Sequence, residues 1–168
     1  MSTKKVFIAL GSNIGDRAYR IECAIDMILL LKETKLIAMS SLMETSPVGV
    51  DGQDEYLNQL IMIETQIQPL ELLKEFKTIE RKLGRKPRPR WAQREIDIDI
   101  VIYEGVKMNS VSLTIPHKEL TSRLFLLKGC MELDPDYVVE GFGNTTKELY
   151  FNNIDKLSGQ KMRFALTS

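Results

Sequence analysis

The sequence predicts an α+β fold, a mainly antiparallel sheet with helices packed on it. Apolar runs and alternating segments indicate strands, and apolar residues at helical spacing indicate helices. These segments follow one another as strand, helix, strand, strand, helix, strand. That order is the split β-α-β repeat of a ferredoxin-like βαββαβ sandwich, with two helices on one face and the other face left for ligands. A small hairpin, helices and a small C-terminal extension follow the repeat.

Length and composition narrow the possible classes of protein. The chain has 168 residues, so residues 1–168 are expected to form a single domain with a proper core. Lysine plus arginine and aspartate plus glutamate number 23 each, so no overall field favours nucleic acid or a membrane as partner. Cys23 and Cys130 lack metal-binding spacing and are expected to be reduced. With no signal-peptide pattern or transmembrane-length apolar run, a cytoplasmic enzyme is expected.

The first predicted strand, residues 6–10, ends in a turn that contains two glycines. The turn lacks the lysine of a phosphate-binding loop and the glycine spacing of a dinucleotide site. Its expected role is therefore structural, with Asp16 as the N-cap of the first helix. The apolar residues that this helix turns toward the core are Ile21, Ile25, Ile28 and Leu29.

The second and third predicted strands cover residues 36–45 and 56–65. The proline and glycines within residues 46–53 predict a loop between them. Tyr56 and Asn58 at the mouth of this loop have the chemistry to hold a flat heterocycle, by ring stacking and by the paired donor and acceptor of the amide. The alternative is that they are ordinary surface and turn residues at a strand entrance.

The second helix is expected to begin at Pro69 and to stop at Gly84. Its inward residues are Leu72, Leu73, Phe76, Ile79 and Leu83. Glu80 lies on the last turn, beside a basic loop. We consider two roles for it, a surface ion pair with a nearby arginine or a contact with a nucleotide sugar.

The basic loop is the strongest local feature of the sequence. Its cations are Arg85, Lys86, Arg88, Arg90 and Arg94. Arginine forks match the geometry of phosphate oxygens. A nucleic-acid surface is the competing interpretation, but the loop precedes a run of acids in a chain of zero net charge. A polyphosphate ligand is favoured.

The segment after the basic loop alternates acid and isoleucine. Period-two alternation predicts a half-buried strand, with Ile96, Ile98, Ile100 and Ile102 toward a core and Glu95, Asp97 and Asp99 outward together. Asp97 and Asp99 then lie roughly 7 Å apart at their Cα atoms. Two such carboxylates suit Mg²⁺, which prefers oxygen ligands and often completes its shell with substrate phosphates. Ordinary solvated acids on an exposed face are the alternative.

His117 is the only histidine of the chain and follows a short predicted strand at residues 111–115. It is either a structural histidine or a phosphate contact across from the aspartate pair. Arg123 and Phe125 follow on a short helix. From residue 134 onward the sequence is polar and rich in turns, and it shows no pattern that indicates chemistry.

Several short motifs together resemble one known family. They are residues 9–17, 45–49, 56–58, 84–85, Trp91 with Arg94, 95–100, and 115–117 with Arg123 and Phe125. With these motifs the chain resembles the 6-hydroxymethyl-7,8-dihydropterin pyrophosphokinases of the folate pathway. These enzymes move a pyrophosphoryl group from ATP to the pterin hydroxymethyl oxygen and release AMP.

The resemblance implies roles for individual residues. Asp97 and Asp99 would bind two Mg²⁺ ions that bridge the ATP phosphates, and Arg85 and Arg94 would join them as catalytic residues. The implied ATP site comprises Glu80, Arg85, Arg94, Ile100, Thr114, His117 and Arg123. The implied pterin site comprises Thr45, Val48, Gly49, Tyr56, Asn58, Trp91, Asp97 and Phe125. The loops at 46–54 and 85–93 would act as lids that exclude water.

The sequence also departs from the family pattern. The loop between Gly84 and Trp91 is one residue shorter and holds two prolines, so Arg88 or no residue takes the role of the family's second loop arginine. Lys118 stands where an aromatic residue often follows the histidine, and Ser46 where proline is common.

Two alternative functions remain at this stage. A different magnesium-dependent phosphotransferase or nucleotidyltransferase would release ADP or pyrophosphate. A regulatory module of the same fold would bind a ligand without turnover. We expect a monomer that binds ATP and the pterin and binds neither nucleic acid nor a membrane.

Overall fold

The structure, a computed structural model, describes residues 2–46, 55–89 and 92–165. Its strands are β1 (Lys4–Ser12), β2 (Thr34–Met39), β3 (Met43–Thr45), β4 (Tyr56–Thr65), β5 (Asp97–Tyr103), β6 (Met108–Asn109), β7 (Thr114–Ile115) and β8 (Met162–Phe164). Its helices are α1 (Arg17–Leu29), α2 (Pro69–Lys82), α3 (Leu124–Leu133) and α4 (Thr146–Asn153), followed by a short 3-10 helix (Asp155–Leu157).

The main sheet is antiparallel and has the strand order β5-β1-β4-β3-β8, with β2 also paired to β4. β6 and β7 form the separate small hairpin that the sequence predicts. β1 lies between β4 and β5, so both of its edges are hydrogen-bonded, and Val6 and Leu10 are almost fully buried. This arrangement confirms the predicted ferredoxin-like α+β fold.

Both predicted helices of the repeat are present and pack on the same side of the sheet. Asp16 caps α1, because its Oδ1 accepts a hydrogen bond of 3.1 Å from the amide of Tyr19. α2 begins at Pro69, and Gly84 follows its end with a positive φ of 92° that favours glycine. The apolar stripes of α1 and α2 pack against one face of the sheet around residues such as Ile8 and Phe76.

The opposite face of the sheet is half covered. α3 and α4 lie over Phe7, Leu60 and Met62, where they form a second apolar cluster with Leu126 and Leu127 of α3. The expectation that this whole face is open for ligands is therefore wrong. The covered half is apolar and buries the inner side of α3, and only the other half remains for ligands.

The second predicted strand is two strands in the structure. β2 and β3 both pair with β4, and the break between them lies at Ser40. The hydroxyl of Ser40 accepts a hydrogen bond of 2.9 Å from the amide of Leu60, and its own amide donates to the Leu60 carbonyl at 2.8 Å. The Ser40 hydroxyl thus accepts one of the hydrogen bonds made by β4 at this break. The hydropathy pattern of the sequence does not predict such a contact.

The alternation of β5 is interrupted near its end. Ile96, Ile98 and Ile100 face the α1 and α2 side as predicted. The pairing with β1 shifts by one residue after Ile100, so that Ile102 pairs with Phe7 and joins the second cluster. Ile102 therefore faces a core as predicted, but it joins the second cluster and not the one of the other three isoleucines, because a bulge of one residue turns the following side chain to the other face.

The C-terminal region is more regular than its sequence indicates. α4 begins with a capping box, in which the Thr145 hydroxyl and the Glu148 carboxylate each accept an amide hydrogen bond. β8 then adds a strand to the edge of the sheet beside β3. The two cysteines are free thiols, and Cys130 is buried, as expected for reduced residues. Among the helices of the described residues, none is sufficiently long and apolar to cross a membrane.

Candidate active site

A pocket of about 270 Å³ lies on the open half of the α3 face. The end of β1, the end of β3, the start of β4 and the start of β5 meet there because neighbouring strands are antiparallel, and the first turn of α3 closes one side. The predicted site residues that line it are Thr45, Tyr56, Asn58, Arg94, Asp97, Asp99, His117, Arg123 and Phe125. The pocket thus combines residues that are up to 117 positions apart in sequence, since Ala9 and Leu126 both line it.

Two of the three acids that were predicted to face outward together line the pocket. Asp97 and Asp99 lie on one face of β5 and line the pocket. Glu95 is only 5% exposed and pairs with Arg88, so the prediction that it faces outward with the aspartates is wrong. The strand begins only at Asp97, and Glu95 therefore does not follow the strand alternation. Burial opposes the charge of Glu95, but the hydrogen bonds from Arg88 and from backbone amides, together with the positive charge of Arg88, outweigh it and lower the pKa of this carboxyl.

The two aspartates differ in electrostatic environment. Burial raises the pKa of Asp99 well above its ordinary value, and the negative charges of Asp97 and Glu80 raise it further. Asp97 is compensated by arginine, since its Oδ1 lies 3.0 Å from Nη1 of Arg85 and 3.6 Å from Nη1 of Arg94. The charge of Asp99 is therefore the one that a bound cation would stabilise most.

Glu80 holds Arg85 beside Asp97. It is 2% exposed, and its Oε1 accepts a hydrogen bond of 2.8 Å from Arg85 while its Oε2 accepts one of 2.7 Å from the amide of Ile98. The interpretation of Glu80 as a surface carboxylate is wrong, because α2 packs its last turn directly against β5. Glu80 does not line the pocket described here, and its contact with a nucleotide sugar stays a prediction.

Arg94 is positioned by the turn that follows β1. The side-chain Oδ1 of Asn13 accepts a hydrogen bond of 2.8 Å from the amide of Arg94, and the amide of Asn13 donates to the Arg94 carbonyl at 3.1 Å. Asn13 is fully buried. The turn therefore has the structural role expected for it, although the sequence did not indicate which residue it serves. The signal was the small polar side chain directly after a buried strand.

The opposite wall carries His117, Arg123 and two residues that sequence analysis did not assign, Lys118 and Glu119. Nδ1 of His117 accepts a hydrogen bond of 3.1 Å from the amide of Glu119, so the neutral ring carries its proton on Nε2. Burial lowers the pKa of His117, against the opposing effect of the Glu119 carboxylate. The same carboxylate accepts a hydrogen bond of 3.2 Å from Arg123. This wall therefore presents two cations, one of them paired with the Glu119 carboxylate, and a neutral donor.

The remaining wall is aromatic and amide-bearing. Nδ2 of Asn58 donates a hydrogen bond of 2.7 Å to the hydroxyl of Thr45, which fixes the orientation of the amide. Tyr56 and Phe125 line the same pocket. A Cβ atom added at Gly11 would lie 2.9 Å from Oδ1 of Asn58, so a larger residue here would displace this amide. The arrangement suits a flat, polar heterocycle.

Some predicted site residues are not brought to the pocket or cannot be placed. Ile100 has a buried side chain on the other face of the sheet, and the Thr114 hydroxyl donates a hydrogen bond of 3.4 Å to Asn109, so neither side chain lines the pocket. Their predicted contacts with ATP stay predictions. Val48, Gly49 and Trp91 lie outside the described residues, as does most of the predicted lid at 46–54.

The sequence matches a family model. The model described as 7,8-dihydro-6-hydroxymethylpterin-pyrophosphokinase (HPPK) matches residues 7–135. A 2-amino-4-hydroxy-6-hydroxymethyldihydropteridine pyrophosphokinase of Methylorubrum extorquens is 36% identical over 137 residues, which cover 82% of this chain and 87% of the relative. The bifunctional protein FolKE of Lactococcus lactis is 39% identical over 132 residues, which cover 78% of this chain but only 38% of that protein.

The fold also resembles that of solved structures. A crystal structure of wild-type Plasmodium falciparum HPPK-DHPS with pteroate superposes with a TM-score of 0.72 at 17% sequence identity, over 93% of this chain and 43% of that one. This likeness supports the fold, and the sequence matches over most of the chain support the family. The chain therefore belongs to the 7,8-dihydro-6-hydroxymethylpterin-pyrophosphokinase family.

Proposed function

We propose that this chain transfers pyrophosphate from ATP to the hydroxymethyl group of 6-hydroxymethyl-7,8-dihydropterin, giving AMP and the pterin diphosphate in tetrahydrofolate biosynthesis. Family membership supports the reaction. The structural observation that carries the proposal is one pocket with two kinds of wall. One kind is cationic and suits phosphates, and the other is aromatic and amide-bearing and suits a pterin ring.

Two Mg²⁺ ions are proposed to bind at Asp97 and Asp99. The donor chemistry fits, because both groups are carboxylates that line the pocket, and a bound cation would favour the charged form of Asp99, whose pKa is raised by burial and by the charges of Asp97 and Glu80. Within the described residues no group of three or more His, Cys, Asp or Glu side chains converges as a metal site. A site with two carboxylates fits magnesium, which is commonly held by one or two carboxylates together with substrate phosphates and water. When bound, the ions would neutralise charge on the reacting phosphates.

The protein's own part in the reaction is to hold and orient the triphosphate. Arg85 and Arg94 stand beside Asp97, and Arg94 lines the pocket together with His117 and Arg123. Phosphoryl-type transfer depends mainly on positioning and on stabilisation of the charge spread over the phosphate oxygens. Two rigidly held groups of donors on either side of the phosphates supply both, and no covalent enzyme intermediate is required.

The pterin is proposed to lie between Tyr56 and Phe125, with Asn58 and the region of Thr45 reading its edge. The Asn58 amide is fixed by the Thr45 hydroxyl, so its remaining donor and acceptor are preoriented for a ring edge. Such preorientation lowers the entropic cost of binding. The hydroxymethyl group would then point toward the aspartate end of the pocket.

We further propose that the protein acts as a monomer in the cytoplasm. All walls of the described pocket come from one chain, and the reaction consumes ATP. Partners other than ATP and the pterin are not required by the proposal.

The test is to identify the nucleotide product. The protein is mixed with ATP, Mg²⁺ and 6-hydroxymethyl-7,8-dihydropterin, and the nucleotides are separated by chromatography. AMP that forms only when the pterin is present supports the proposal. ADP would indicate a different phosphotransferase, and ligand binding without turnover would indicate a binding module, so either result would overturn it.

A further inference from the structure

We propose that residues 160–165, here called the C-terminal strap, position the pterin pocket by tying together its two sides. The strap lies beyond residues 7–135, the part of the chain that matches the family model. It contacts neighbours of the residues proposed to hold the pterin, and it does not itself line the pocket. The inference rests on the proposed function, and it adds a positioning element to it.

The strap joins the sheet beside the first side of the pocket. Within it, β8 pairs with β3 so that Met162 lies opposite Thr45 and Phe164 lies opposite Met43. The amide of Ala165 donates a further hydrogen bond of 3.0 Å to the carbonyl of Leu42. β3 has only three residues. It pairs with β4 on one edge, and β8 pairs with its other edge. The strap therefore fixes the strand that carries Thr45.

Charged side chains extend this contact to the start of β4. Arg163 of the strap pairs with Glu44 and also lies 2.7 Å from Oε2 of Glu55, the residue directly before Tyr56. Arg17 completes the network, since it pairs with Glu44 at 3.0 Å and donates to the Glu55 carbonyl at 2.9 Å. Single exposed ion pairs contribute little, whereas a network that joins three strands or helix ends restrains their relative position.

Gln160 ties the strap to the second side of the pocket. Its Oε1 accepts a hydrogen bond of 2.9 Å from the amide of Leu124, and its Nε2 donates one of 2.6 Å to the carbonyl of Ser122. α3 begins at Leu124, and its N-cap residue, Arg123, provides no side-chain cap. Gln160 therefore acts as the missing cap from a distant part of the chain. It holds the first turn of α3, which carries Phe125.

These contacts predict a selective effect on the pterin. The strap restrains β3, the start of β4 and the start of α3, which carry Thr45, Tyr56 and Phe125. The cationic lining depends mainly on other contacts, since Glu119 holds Arg123 and Glu80 holds Arg85, although Arg123 also lies between Ser122 and Leu124, which Gln160 contacts. Loosening the strap should therefore weaken pterin binding more than ATP binding.

The experiment compares the double variant Gln160→Ala/Arg163→Ala with the matched control Gln68→Ala/Arg81→Ala, both in the full chain. Gln68 and Arg81 are exposed residues of α2, where Gln68 provides no side-chain cap and Arg81 bonds only locally to Thr78. Steady-state KM for the pterin, KM for ATP and the thermal midpoint are measured for each protein. We expect the KM for the pterin to rise roughly tenfold in the strap variant, as for the loss of one or two hydrogen-bonded contacts. The KM for ATP should stay within about twofold, and the control should match the wild type.

The outcomes separate this inference from the proposed function. Wild-type protein that forms no pterin-dependent AMP overturns the proposed function, and the strap inference falls with it. Active wild-type protein with an unchanged pterin KM in the strap variant overturns the strap inference alone, even when the thermal midpoint falls. Equal increases in both KM values would also contradict it, because a general loosening of the fold does not discriminate between the two substrates.

Discussion

Two pairs of acids flank the same basic loop, and they differ in burial and in partners. Glu80 and Glu95 are 2% and 5% exposed. Each carboxylate binds an arginine side chain and also accepts a hydrogen bond from a backbone amide. Asp97 and Asp99 line the pocket. The buried glutamates hold the loop and the start of β5 in place, whereas the aspartates are left to meet a ligand. Residues of the same charge, within one short segment, thus separate into scaffold and site.

The arginines of the loop separate in the same way. Arg88 is bound to buried Glu95, and its Nη1 also donates to the Gln93 carbonyl at 3.2 Å, so it closes the loop on itself. Arg85 bridges both groups of acids, because it contacts Glu80 on one side and Asp97 on the other. Arg88 therefore anchors the loop in this structure, and its role as a second phosphate-binding arginine stays a prediction.

The largest expected effect tests the pocket acids. Asp97→Ala and Asp99→Ala should each lower kcat by roughly 10³-fold or more, the size of loss seen when electrostatic stabilisation of a transition state is removed. The thermal midpoint of Asp99→Ala should not fall, since the replacement removes a carboxyl whose ionised form is opposed by burial and by the charges of Asp97 and Glu80, whereas Asp97→Ala loses its ion pairs with Arg85 and Arg94 and should lower the midpoint slightly. AMP formation and thermal unfolding are the measurements. Near-normal activity in either variant would contradict the metal assignment.

The next effect tests the scaffold acids through stability. Glu80→Ala leaves the buried amide of Ile98 without its side-chain acceptor, which should lower the free energy of unfolding by about 1–3 kcal/mol. Glu80→Gln keeps an acceptor for Ile98 and should lower it less. Urea unfolding at neutral pH measures both. If Glu80→Ala were as stable as the wild type, Glu80 would not belong to the scaffold.

A smaller effect appears as a dependence of stability on pH. The pKa of Glu95 is lowered on folding, so its contribution is present above the unfolded value of about 4.3 and is lost as the pH falls toward the folded value. Each pKa unit of lowering corresponds to about 1.4 kcal/mol. Glu95→Gln should lack this acid-induced loss. Urea unfolding at neutral and at acidic pH compares the two proteins, and parallel pH profiles would show that Glu95 is not ionised in its buried pair.

The smallest effect concerns the wall away from both pairs of acids. Gly11→Ala places a Cβ about 2.9 Å from Oδ1 of Asn58, and this side-chain atom can shift to relieve the contact. The KM for the pterin should rise a few-fold, while kcat at saturation and the KM for ATP change little. If Gly11→Ala changed only the KM for ATP, this result would contradict the proposed position of the pterin beside Asn58.

Sequence patterns predicted the parts of the fold that local chemistry determines. β4 has the predicted range, and Asp16, Pro69 and Gly84 mark helix ends where local capping and backbone rules place them. The alternation of Asp97 and Asp99 predicted their common face because the pleat is a local property of a strand. The resemblance to a family then indicated which of these residues belong to one site.

The remaining features depend on contacts between distant segments. Glu95 is buried by an arginine that a bent loop brings back, and Asn13 meets Arg94 across 81 positions of sequence. The apolar half of the second sheet face is visible only when α3 is docked on it. β8 has only three residues, and it becomes a strand because the edge of β3 is available. The hydropathy pattern of a sequence does not predict pairings between segments that are distant along the chain.

The central claim is that the pocket acids bind metal and the buried acids do not, and direct metal binding tests it. Mn²⁺, as a spectroscopic substitute for Mg²⁺, is titrated by electron paramagnetic resonance into protein saturated with a non-hydrolysable ATP analogue. Wild-type protein and Glu95→Gln are expected to bind Mn²⁺ with the same affinity, whereas Asp97→Asn and Asp99→Asn bind it much more weakly. Unchanged affinity in the two aspartate variants would contradict the account.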